Sequence, residues 1–288
     1  HPVTSGVVQG SQIGPLLFII FVNDIVDLVS EPASCKLFAD DIKLYSRLES
    51  VLDNPLTDIL NRIQLWSDTW QLKINPSKSS VMRLGKVPSD TVYSVNNITI
   101  PEVRKVRDLG LDYDSNLRFD DYISSISGRA YQRIGLIFRG FVSRNTQLLK
   151  RAFVTYIRPI LEYSTCIWSP YLIGDINKLE SVQRYFTRRL FPGQTYSYGE
   201  RLFLLNLESL ESRRLKNDLR MYFKIIHGLV NIDASKFFIF SPKENSRTGH
   251  CYTLRKHLFS SNHLFNSFSN RAVDCWNSLP ADVVGAKS

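Results

Sequence analysis

Hydrophobic residues recur along the chain at three different spacings, and these spacings predict three regions. In the first region, apolar runs with helical spacing alternate with short runs typical of strands. In the second, apolar residues return every three or four positions, which indicates helices alone. In the last, aromatic residues are scattered among serine and asparagine, which favours loose packing. We therefore predict an α+β region at 1–118, an all-helical region at 119–230 and a loosely packed extension at 231–288.

The first region contains signals for two helices, an acidic hairpin and several short strands. Pro15 suits the first turn of a helix, where the N–H that proline lacks has no partner anyway. Asn96 and Asn97 tolerate the left-handed backbone that a tight hairpin turn requires. The predicted helices are Leu16–Val29 and an amphipathic helix from Leu56 to Trp70. The predicted strands are a hairpin over Cys35–Tyr45 and runs around Val81–Leu84, Val92–Val95 and Ile98–Ile100.

The second region predicts four helices from its apolar periodicity. Pro159 is expected to kink the second helix, because proline removes a backbone hydrogen bond and clashes with the preceding turn. Asp175 is a good N-cap for the third helix, and Gly228 suits the end of the fourth. The predicted helices run from Phe119 to Phe141, from Leu149 to Ile160, from Asp175 to Phe186 and from about Leu207 to Gly228.

The basic residues of the chain are concentrated in this helical region. The formal net charge of the 288 residues is +9. Between Arg129 and Lys224 there are 17 Lys and Arg against 7 Asp and Glu, whereas charges in the rest of the chain nearly balance. Such a distribution is expected of a surface that faces a polyanion, and a merely solvated face is the alternative.

The fourth predicted helix places four of these cations on one face. Arg213, Lys216, Arg220 and Lys224 follow one another at spacings of three, four and four. Because like charges on one helix face repel, we expect something anionic outside the helix to compensate them. The opposite face is expected to pack inward through Leu215, Leu219, Tyr222 and Ile226.

Cysteine spacing and hydropathy argue against a secreted or membrane-spanning protein. Cys35, Cys166, Cys251 and Cys275 are far apart and form no Cys-x-x-Cys pair, which favours a reducing compartment over a disulfide framework. The longest apolar run, Ile13–Val22, is too short to span a bilayer. We therefore expect an intracellular protein without a membrane partner.

The acidic pair at the predicted hairpin tip is the sharpest chemical feature of the sequence. Asp40 and Asp41 follow Phe38 and Ala39 between two β-prone runs. At a turn, neighbouring carboxylates can approach one ion, and hard oxygen ligands suit Mg²⁺. Two such ions about 4 Å apart can activate a hydroxyl nucleophile and stabilise a leaving pyrophosphate. Taken by itself, however, an Asp-Asp pair is more often an ordinary acidic turn.

The residues before the pair give it a context. The stretch Ser5-Gly-Val-Val-Gln-Gly-Ser-Gln-Ile-Gly-Pro-Leu-Leu-Phe18 places glycines around Gln9 just ahead of a helix, where backbone can approach a ligand closely. Asn23-Asp24-Ile25 follows, and then Phe38-Ala-Asp-Asp41 with Leu44-Tyr45. These words, in this order, closely resemble the reverse transcriptases of non-LTR retrotransposons.

Further stretches extend the resemblance over essentially the whole chain. Trp66, Trp70, Leu72, Asn75, Lys78 and Met82 look like the next block of that family, and Val106-Arg-Asp-Leu-Gly-Leu111 looks like its primer-grip block. Tyr156-Ile-Arg-Pro-Ile-Leu-Glu-Tyr163 with Trp168, and later Trp276-Asn-Ser-Leu-Pro280, are similar to the downstream segment of jockey- and CR1-like elements.

The resemblance implies the rear part of a right-hand polymerase: part of the palm at 1–118, a helical thumb at 119–230 and a C-terminal extension at 231–288. It implies that Asp40 and Asp41 bind two catalytic Mg²⁺ ions and that Lys78 assists pyrophosphate departure as a cation or proton donor, with an ordinary surface lysine as the alternative. It also implies three binding groups: Gly6, Gln9, Gly10 and Phe38 around nucleotide and template, Leu109 and Gly110 in the primer grip, and Arg213, Lys216, Arg220 and Lys224 on the nucleic-acid backbone.

The partners implied are an RNA template, a DNA primer, deoxynucleoside triphosphates and an upstream part of the same polypeptide, with the nucleus as the place of target-primed insertion. The family carries a third metal-binding Asp on an earlier palm strand, which this sequence lacks, so we expect the chain by itself to be inactive. Two alternatives remain: a non-catalytic relic that binds nucleic acid, and a helical module whose basic face meets an acidic protein.

Overall fold

The computed structural model describes residues 6, 10–47, 54–85, 91–241, 250–259 and 261–286. The chain forms two compact units, His1–Arg118 and Phe119–Ser288. The first unit contains α1 (Gly14–Val22), β1 (Ala33–Phe38), β2 (Asp41–Ser46), α2 (Pro55–Thr69), β3 (Ser94–Val95), β4 (Ile98–Thr99), β5 (Lys105–Asp108) and β6 (Leu111–Asp114).

The first predicted helix is confirmed, although its second half is wound more tightly than an α-helix. The hydroxyl of Ser11 accepts a hydrogen bond from the Gly14 N–H at 3.0 Å, and Pro15 lies in the first turn. After Val22 the chain continues as a 3₁₀ helix over Asn23–Leu28. No helix among the described residues has both the length and the apolar character needed to cross a membrane.

The core of the first unit lies under the β1–β2 hairpin. Side chains alternate across a strand, so Cys35, Leu37, Ile42 and Leu44 share the inward face. They pack against a fully buried layer contributed by the 3₁₀ helix and α2, which consists of Ile25, Ile59, Ile63 and Trp66. The predicted amphipathic helix α2 is thereby confirmed.

Two small hairpins follow α2. Asn96 and Asn97 form the turn of β3–β4 with φ of 53° and 60°, as predicted from their tolerance of the left-handed region. The strand predicted around Val81–Leu84 is wrong, because only Val81 makes a bridge there, to Glu102. Arg83 instead uses its side chain, which bonds the Glu102 carboxylate and the Thr91 carbonyl.

The second unit is helical up to Ile226 and mixed beyond it. Its helices are α3 (Asp120–Gly140), α4 (Thr146–Tyr156), α5 (Arg158–Glu162), α6 (Thr165–Trp168), α7 (Ile173–Arg189), α8 (Tyr198–Leu205) and α9 (Leu210–Ile226). They are followed by β7 (Ile239–Phe240), β8 (Leu254–Arg255), α10 (Asn262–Phe265), α11 (Phe268–Arg271), α12 (Val273–Asn277) and α13 (Ala281–Val284).

Two helix boundaries differ from the sequence prediction. The helix expected to kink at Pro159 is divided into α4 and α5 at Ile157, because a proline is accepted in the first turn of a new helix but not inside a continuing one. Asp175 is not the N-cap of α7, which begins two residues earlier at Ile173. The carboxylate still lies in the first turn, where the helix end is positive.

The segment after Asn231 is packed, so the expectation of loose packing is wrong. Its aromatic residues, scattered in sequence, converge on Tyr222 of α9, and Trp276 of α12 is 1% exposed. The indole N–H of Trp276 donates to the Tyr252 carbonyl at 2.9 Å. The Asn277 amide both accepts from and donates to the backbone of Leu254, at 2.9 and 2.8 Å. The hydrogen bonds join α12 to the segment around β8, and the Trp276 ring lies 6.0 Å from the Tyr222 ring of α9.

Candidate active site

The predicted acidic hairpin is confirmed as two antiparallel strands with a two-residue turn. Phe38 and Asp41 are the last paired residues, and Ala39 and Asp40 connect them. Ala39 has a φ of 51°, a conformation that an alanine adopts rarely and that closes the turn tightly. Asp40 therefore lies on the turn itself and Asp41 begins β2, and both carboxylates are exposed.

The outward face of the hairpin is lined with aromatic and charged residues. Phe38, Asp41, Lys43 and Tyr45 share this face, since Phe38 pairs with Asp41 and successive residues of β2 alternate. Phe38 is 63% exposed and Tyr45 is 47% exposed. Phe38 lies directly across from Asp41, and Lys43 separates Asp41 from Tyr45 along this face.

Lys43 connects this face to the β5–β6 hairpin. Its ammonium donates to the carboxylate of Asp108 and, at 3.1 Å, to the hydroxyl of Tyr113. Partial burial pulls the pKa of Lys43 down, but the hydrogen bonds and the charge of its two partners outweigh this and raise it. The ammonium therefore stays charged, and it fixes two otherwise separate hairpins to each other.

The residues predicted for the primer grip form the turn of that second hairpin. Asp108 pairs with Leu111, so Leu109 and Gly110 alone make the connection, with φ of 46° and 82°. Both values lie in the left-handed region, which glycine occupies without strain and leucine seldom does. The structure thus joins the predicted catalytic hairpin and the predicted primer-grip hairpin through Lys43 and Asp108.

The other predicted site residues are not brought to the hairpin by a described contact. Lys78 ends a short 3₁₀ turn, and its exposed side chain makes no hydrogen bond or ion pair among the described residues. Gly6 and Gly10 have φ of 81° and 83°, where a side chain would be strained although nothing crowds it. Gln9 lies outside the described residues.

The acidic pair meets part of the ligand requirement of a divalent cation. Asp40 and Asp41 offer exposed carboxylate oxygens, and Mg²⁺ accepts few protein ligands because it retains water and phosphate oxygens. In the part of the chain that the structure describes, no group of three or more His, Cys, Asp or Glu residues is arranged to hold a metal ion. The two carboxylates therefore fit a metal whose remaining ligands come from elsewhere.

The predicted basic stripe on α9 is half compensated within the protein. The Arg213 guanidinium pairs with both carboxylate oxygens of Glu162, one of them at 2.9 Å, and Lys216 pairs with Glu208. For these two cations, the anion that we expected outside the helix is a glutamate of the chain itself. Their partners lie outside the helix, 51 and 8 residues away in sequence, and helical spacing carries no information about them.

Arg220 and Lys224 remain available on the same face. The Arg220 guanidinium donates only to the side-chain oxygen of Asn217, at 3.2 Å, and both cations are exposed. No carboxylate is within ion-pair distance of either among the described residues. Among the described residues, the compensating carboxylate that we expected for the whole stripe is therefore present for two of its four cations.

The inward face of α9 contains charged residues that the sequence analysis missed. Arg214 and Asp218 are 3% and 2% exposed. The Asp218 carboxylate accepts two hydrogen bonds of 2.8 Å from the Arg271 guanidinium, which also donates to the Cys166 carbonyl at 2.7 Å. The only sequence signal is the spacing of four from Leu210 to Arg214 to Asp218 to Tyr222, which a search for apolar periodicity does not reveal.

Comparison with known proteins finds a family that the first unit resembles. Residues 1–113 match the sequence model of the family described as reverse transcriptase (RNA-dependent DNA polymerase). The match contains the β1–β2 hairpin, all of the β5–β6 hairpin except Asp114, and nearly all of the first compact unit. Residues 1–113 are therefore similar to a reverse transcriptase domain.

Relatives from Drosophila melanogaster extend the similarity into the second unit. The probable RNA-directed DNA polymerase from transposon BS is 26% identical over 231 residues, which are 73% of this chain and 25% of that protein. The probable RNA-directed DNA polymerase from transposon X-element is 26% identical over 199 residues, 65% of this chain and 22% of that protein. The RNA-directed DNA polymerase from mobile element jockey is 24% identical over 207 residues, which are 68% of this chain and 23% of that protein.

These comparisons confirm the resemblance to polymerases of non-LTR retrotransposons that the sequence predicted. The matched segment spans about a quarter of the length of these relatives. No solved structure matches the chain.

Proposed function

We propose that this chain, whose first 113 residues are similar to a reverse transcriptase domain, is the part of an RNA-directed DNA polymerase that holds two of its catalytic carboxylates. In this function it helps to extend a DNA primer on an RNA template from deoxynucleoside triphosphates. The observation that carries the proposal is the family match over a hairpin that exposes Asp40 and Asp41 side by side at its tip.

The carboxylates of Asp40 and Asp41 would hold divalent cations, in keeping with their exposure and their hard oxygen atoms. Bound Mg²⁺ would lower the barrier for attack by the primer hydroxyl and stabilise the pyrophosphate that leaves. Phe38, beside Asp41 on the outward face, offers an exposed ring against which a nucleotide can lie. Gly6, Gln9 and Gly10 would complete the nucleotide and template pocket, and Lys78 would meet the departing pyrophosphate.

The contact between Lys43 and Asp108 gives the proposal a positioning element. It connects the strand that begins with Asp41 to the strand that ends next to Leu109 and Gly110. In a polymerase, the primer terminus must meet the metal-binding carboxylates in one geometry, and a small misplacement costs rate steeply. We infer that this ion pair keeps the primer-grip turn at a constant distance from the acidic tip.

The second unit would act on nucleic acid through charge. Arg220 and Lys224 on α9 would contact phosphates of the template–primer duplex without reading its sequence. Arg213 and Lys216 contribute less, because Glu162 and Glu208 already neutralise them. In this proposal 119–230 serves as a thumb and 231–288 as an extension packed against it.

The chain by itself should not polymerise. Among the described residues, no third His, Cys, Asp or Glu is arranged with the acidic pair to hold a metal ion, and bridging two cations takes more ligands than two adjacent aspartates supply. We propose that an upstream part of the same polypeptide completes the site and that the assembled enzyme works in the nucleus. Primer extension by the purified chain on an RNA template with Mg²⁺ would contradict the proposal that the catalytic site of this chain is incomplete.

The catalytic assignment is tested in a polypeptide in which this chain continues an upstream segment with the remaining carboxylate. We expect Asp41→Asn to abolish primer extension, because it removes a metal ligand while keeping the size of the side chain. Asp68→Asn is the matched control, since Asp68 is an exposed aspartate on α2 that bonds only Gln64. Equal extension by both variants would sink the assignment.

A second candidate function is nucleic-acid binding without catalysis, as in a decayed copy. The incomplete acidic site and the uncompensated cations favour it equally well. It predicts that the assembled polypeptide binds template–primer but extends nothing at any Mg²⁺ concentration.

A further inference from the structure

The outer face of the α3–α7 pair is a second basic surface, separate from the stripe on α9. The two helices run in parallel, since Lys178 meets Ser124 at one end and Phe186 meets Phe138 at the other, with Tyr131 bonded to Ser181 between them. We call the exposed line of contact, formed by Tyr131, Gln132, Arg139, Tyr185 and Arg189, the α3–α7 seam.

The seam lies in stretches of sequence that contain no acidic residue. No Asp or Glu occurs from Tyr122 to Leu161, which contains seven Lys and Arg, or from Ser181 to Gly199, which contains three. On α9, by contrast, Glu162 and Glu208 reach two of the four cations. Among the described residues, no carboxylate lies within ion-pair distance of Arg139 or Arg189. The positive charge of the seam is therefore left for an external anion.

The two guanidinium groups line one shallow cleft. Arg189 lies 4.0 Å from the centroid of the Phe138 ring and donates to the Tyr185 hydroxyl at 3.3 Å. Contact with an aromatic face holds the cation in place without neutralising it, so most of its donors stay free for an anion. The cleft is lined by Gln132, Gly135, Leu136, Phe138, Arg139 and Arg189.

Exposed aromatic rings stand next to this cleft. Tyr131 is 37% exposed and Tyr185 is 44% exposed, and their ring centroids are 5.4 Å apart. A basic groove beside exposed aromatic rings suits single-stranded nucleic acid, because phosphates meet the cations while unpaired bases stack on the rings. Duplex bases are already stacked on each other and gain nothing from such rings.

A purely structural explanation accounts for only part of the charge. Arg139 lies in the last turn of α3 and Arg188 and Arg189 in the last turn of α7, where cations stabilise the helix end. Arg144 also donates to two carbonyl groups at the end of α3, at 3.0 and 2.9 Å. Each helix end, however, carries only about half a negative charge. Four cations at two helix ends leave a positive surplus.

We propose that the α3–α7 seam is a binding site for single-stranded nucleic acid, with phosphates at Arg139 and Arg189 and bases on Tyr131 and Tyr185. The proposal rests on the proposed function only for the identification of the polyanion as nucleic acid. It adds a surface that is distinct from the acidic hairpin and from α9. This surface suits the unpaired part of a template strand.

The test measures binding of the whole chain to a fluorescent single-stranded oligouridylate at several salt concentrations. We expect Arg139→Gln with Arg189→Gln to weaken binding about tenfold at low salt and to lower the slope of log affinity against log salt by about 1.4, or about 0.7 for each phosphate that is no longer neutralised. Lys236→Gln with Arg255→Gln is the matched control. It removes the same charge from exposed positions of the same unit, outside the seam, and should leave the slope unchanged.

A second pair of variants separates charge from stacking and guards against misfolding. Tyr131→Leu should weaken binding while the salt slope stays constant, because it removes a ring that bonds Ser181 and holds no cation of the seam. Arg139→Glu alone changes an exposed side chain and should weaken binding further than Arg139→Gln.

If the Arg139/Arg189 double variant binds the single strand with the same affinity and the same salt slope as the parent chain, the seam is not the binding site. Binding of the parent chain to duplex but not to single strand would overturn it too. Either result would leave the catalytic assignment intact, since primer extension by the Asp41→Asn variant decides that separately.

Discussion

The ammonium group of Lys43 on β2 donates to the carboxylate of Asp108 on β5, and this contact joins the hairpin with the acidic tip to the hairpin that turns at Leu109 and Gly110. Both side chains are partly exposed, 52% for Lys43 and 29% for Asp108. The contact is therefore weak as a source of stability, and its value lies in the geometry that it sets.

Separate replacement of the two partners should reveal a small coupling. We expect Lys43→Gln and Asp108→Asn to give a coupling free energy of about 0.2–1 kcal/mol in a double-mutant cycle of urea unfolding, as exposed pairs do. Lys36→Gln is the control, because Lys36 is the cross-strand neighbour of Lys43 on the same face. If the coupling free energy between Lys36 and Asp108 is as large as that between Lys43 and Asp108, the contact assigned to Lys43 and Asp108 is wrong.

The same pair should respond to alkaline pH. The pKa of Lys43 is raised in the folded protein, so its contribution is fully present below the unfolded lysine pKa of about 10.4 and is lost as pH rises through the folded value. The difference in unfolding free energy between parent and Lys43→Gln should therefore be constant from neutral pH to about pH 10 and shrink above it. A difference that shrinks already between pH 6 and 8 would point to another group.

Loss of the buried pair between Asp218 and Arg271 should be costly. Asp218→Asn leaves a guanidinium that is 14% exposed without its counter-charge, and we expect a loss of about 3–5 kcal/mol in urea unfolding followed by circular dichroism. Asp274→Asn is the matched control. Asp274 is only three residues after Arg271 in sequence, and this change breaks its exposed ion pair with Lys256. That variant should lose less than about 1 kcal/mol. Similar losses in both would mean that burial is not the cause.

The salt dependence of duplex binding should report two cations on α9 rather than four. We expect Arg220→Gln with Lys224→Gln to lower the slope for an RNA–DNA duplex by about 0.9 per cation. Arg213→Gln with Lys216→Gln removes equal charge but only cations that are already paired, so it should change the slope little and reduce unfolding stability instead. An unchanged slope in the first variant would remove α9 from the nucleic-acid surface.

The four free cysteines should differ in reactivity. Burial, and after it the charge of Asp218, raises the pKa of Cys166 to about 12, so at pH 8 only about one thiol in ten thousand is ionised. Cys251 and Cys275 are exposed. We expect iodoacetamide to modify these two in the native protein and Cys166 only after unfolding, as followed by mass spectrometry. Modification of Cys166 at the rate of Cys251 would contradict the packing around α6 and α9.

Local patterns predicted those parts of the fold that local physics decides. The alternation that makes the β1–β2 hairpin, the apolar period of α2 and α3 and the turn at Asn96 and Asn97 are all visible within a few residues of sequence. The β5–β6 hairpin was missed because Leu109 is an unfavourable residue for a left-handed turn, and the strand pairing overrides its preference.

Contacts between distant residues account for most of what sequence reasoning missed at the candidate site. Glu162 neutralises Arg213 from 51 positions away, and Arg271 meets Asp218 from 53. Neither partner is marked by spacing or composition, so the helical spacing of the cations could not show which of them are paired within the chain. The acidic tip itself was predictable, because both carboxylates belong to one turn.

The long-range hydrogen bonds of Arg271 have a consequence for folding during synthesis. Its guanidinium joins Asp218 to the carbonyl groups of Thr165 and Cys166, which leave the ribosome 105 or more residues earlier. At about 5–20 residues per second, α6 would wait roughly 5–20 s for this guanidinium, and Asp218 on α9, which is 53 residues before Arg271, would wait roughly 3–11 s. During that interval the helices can form but the unit cannot close. A nascent chain halted before residue 271 should therefore stay open to proteases and chaperones, although most of its helices are already translated.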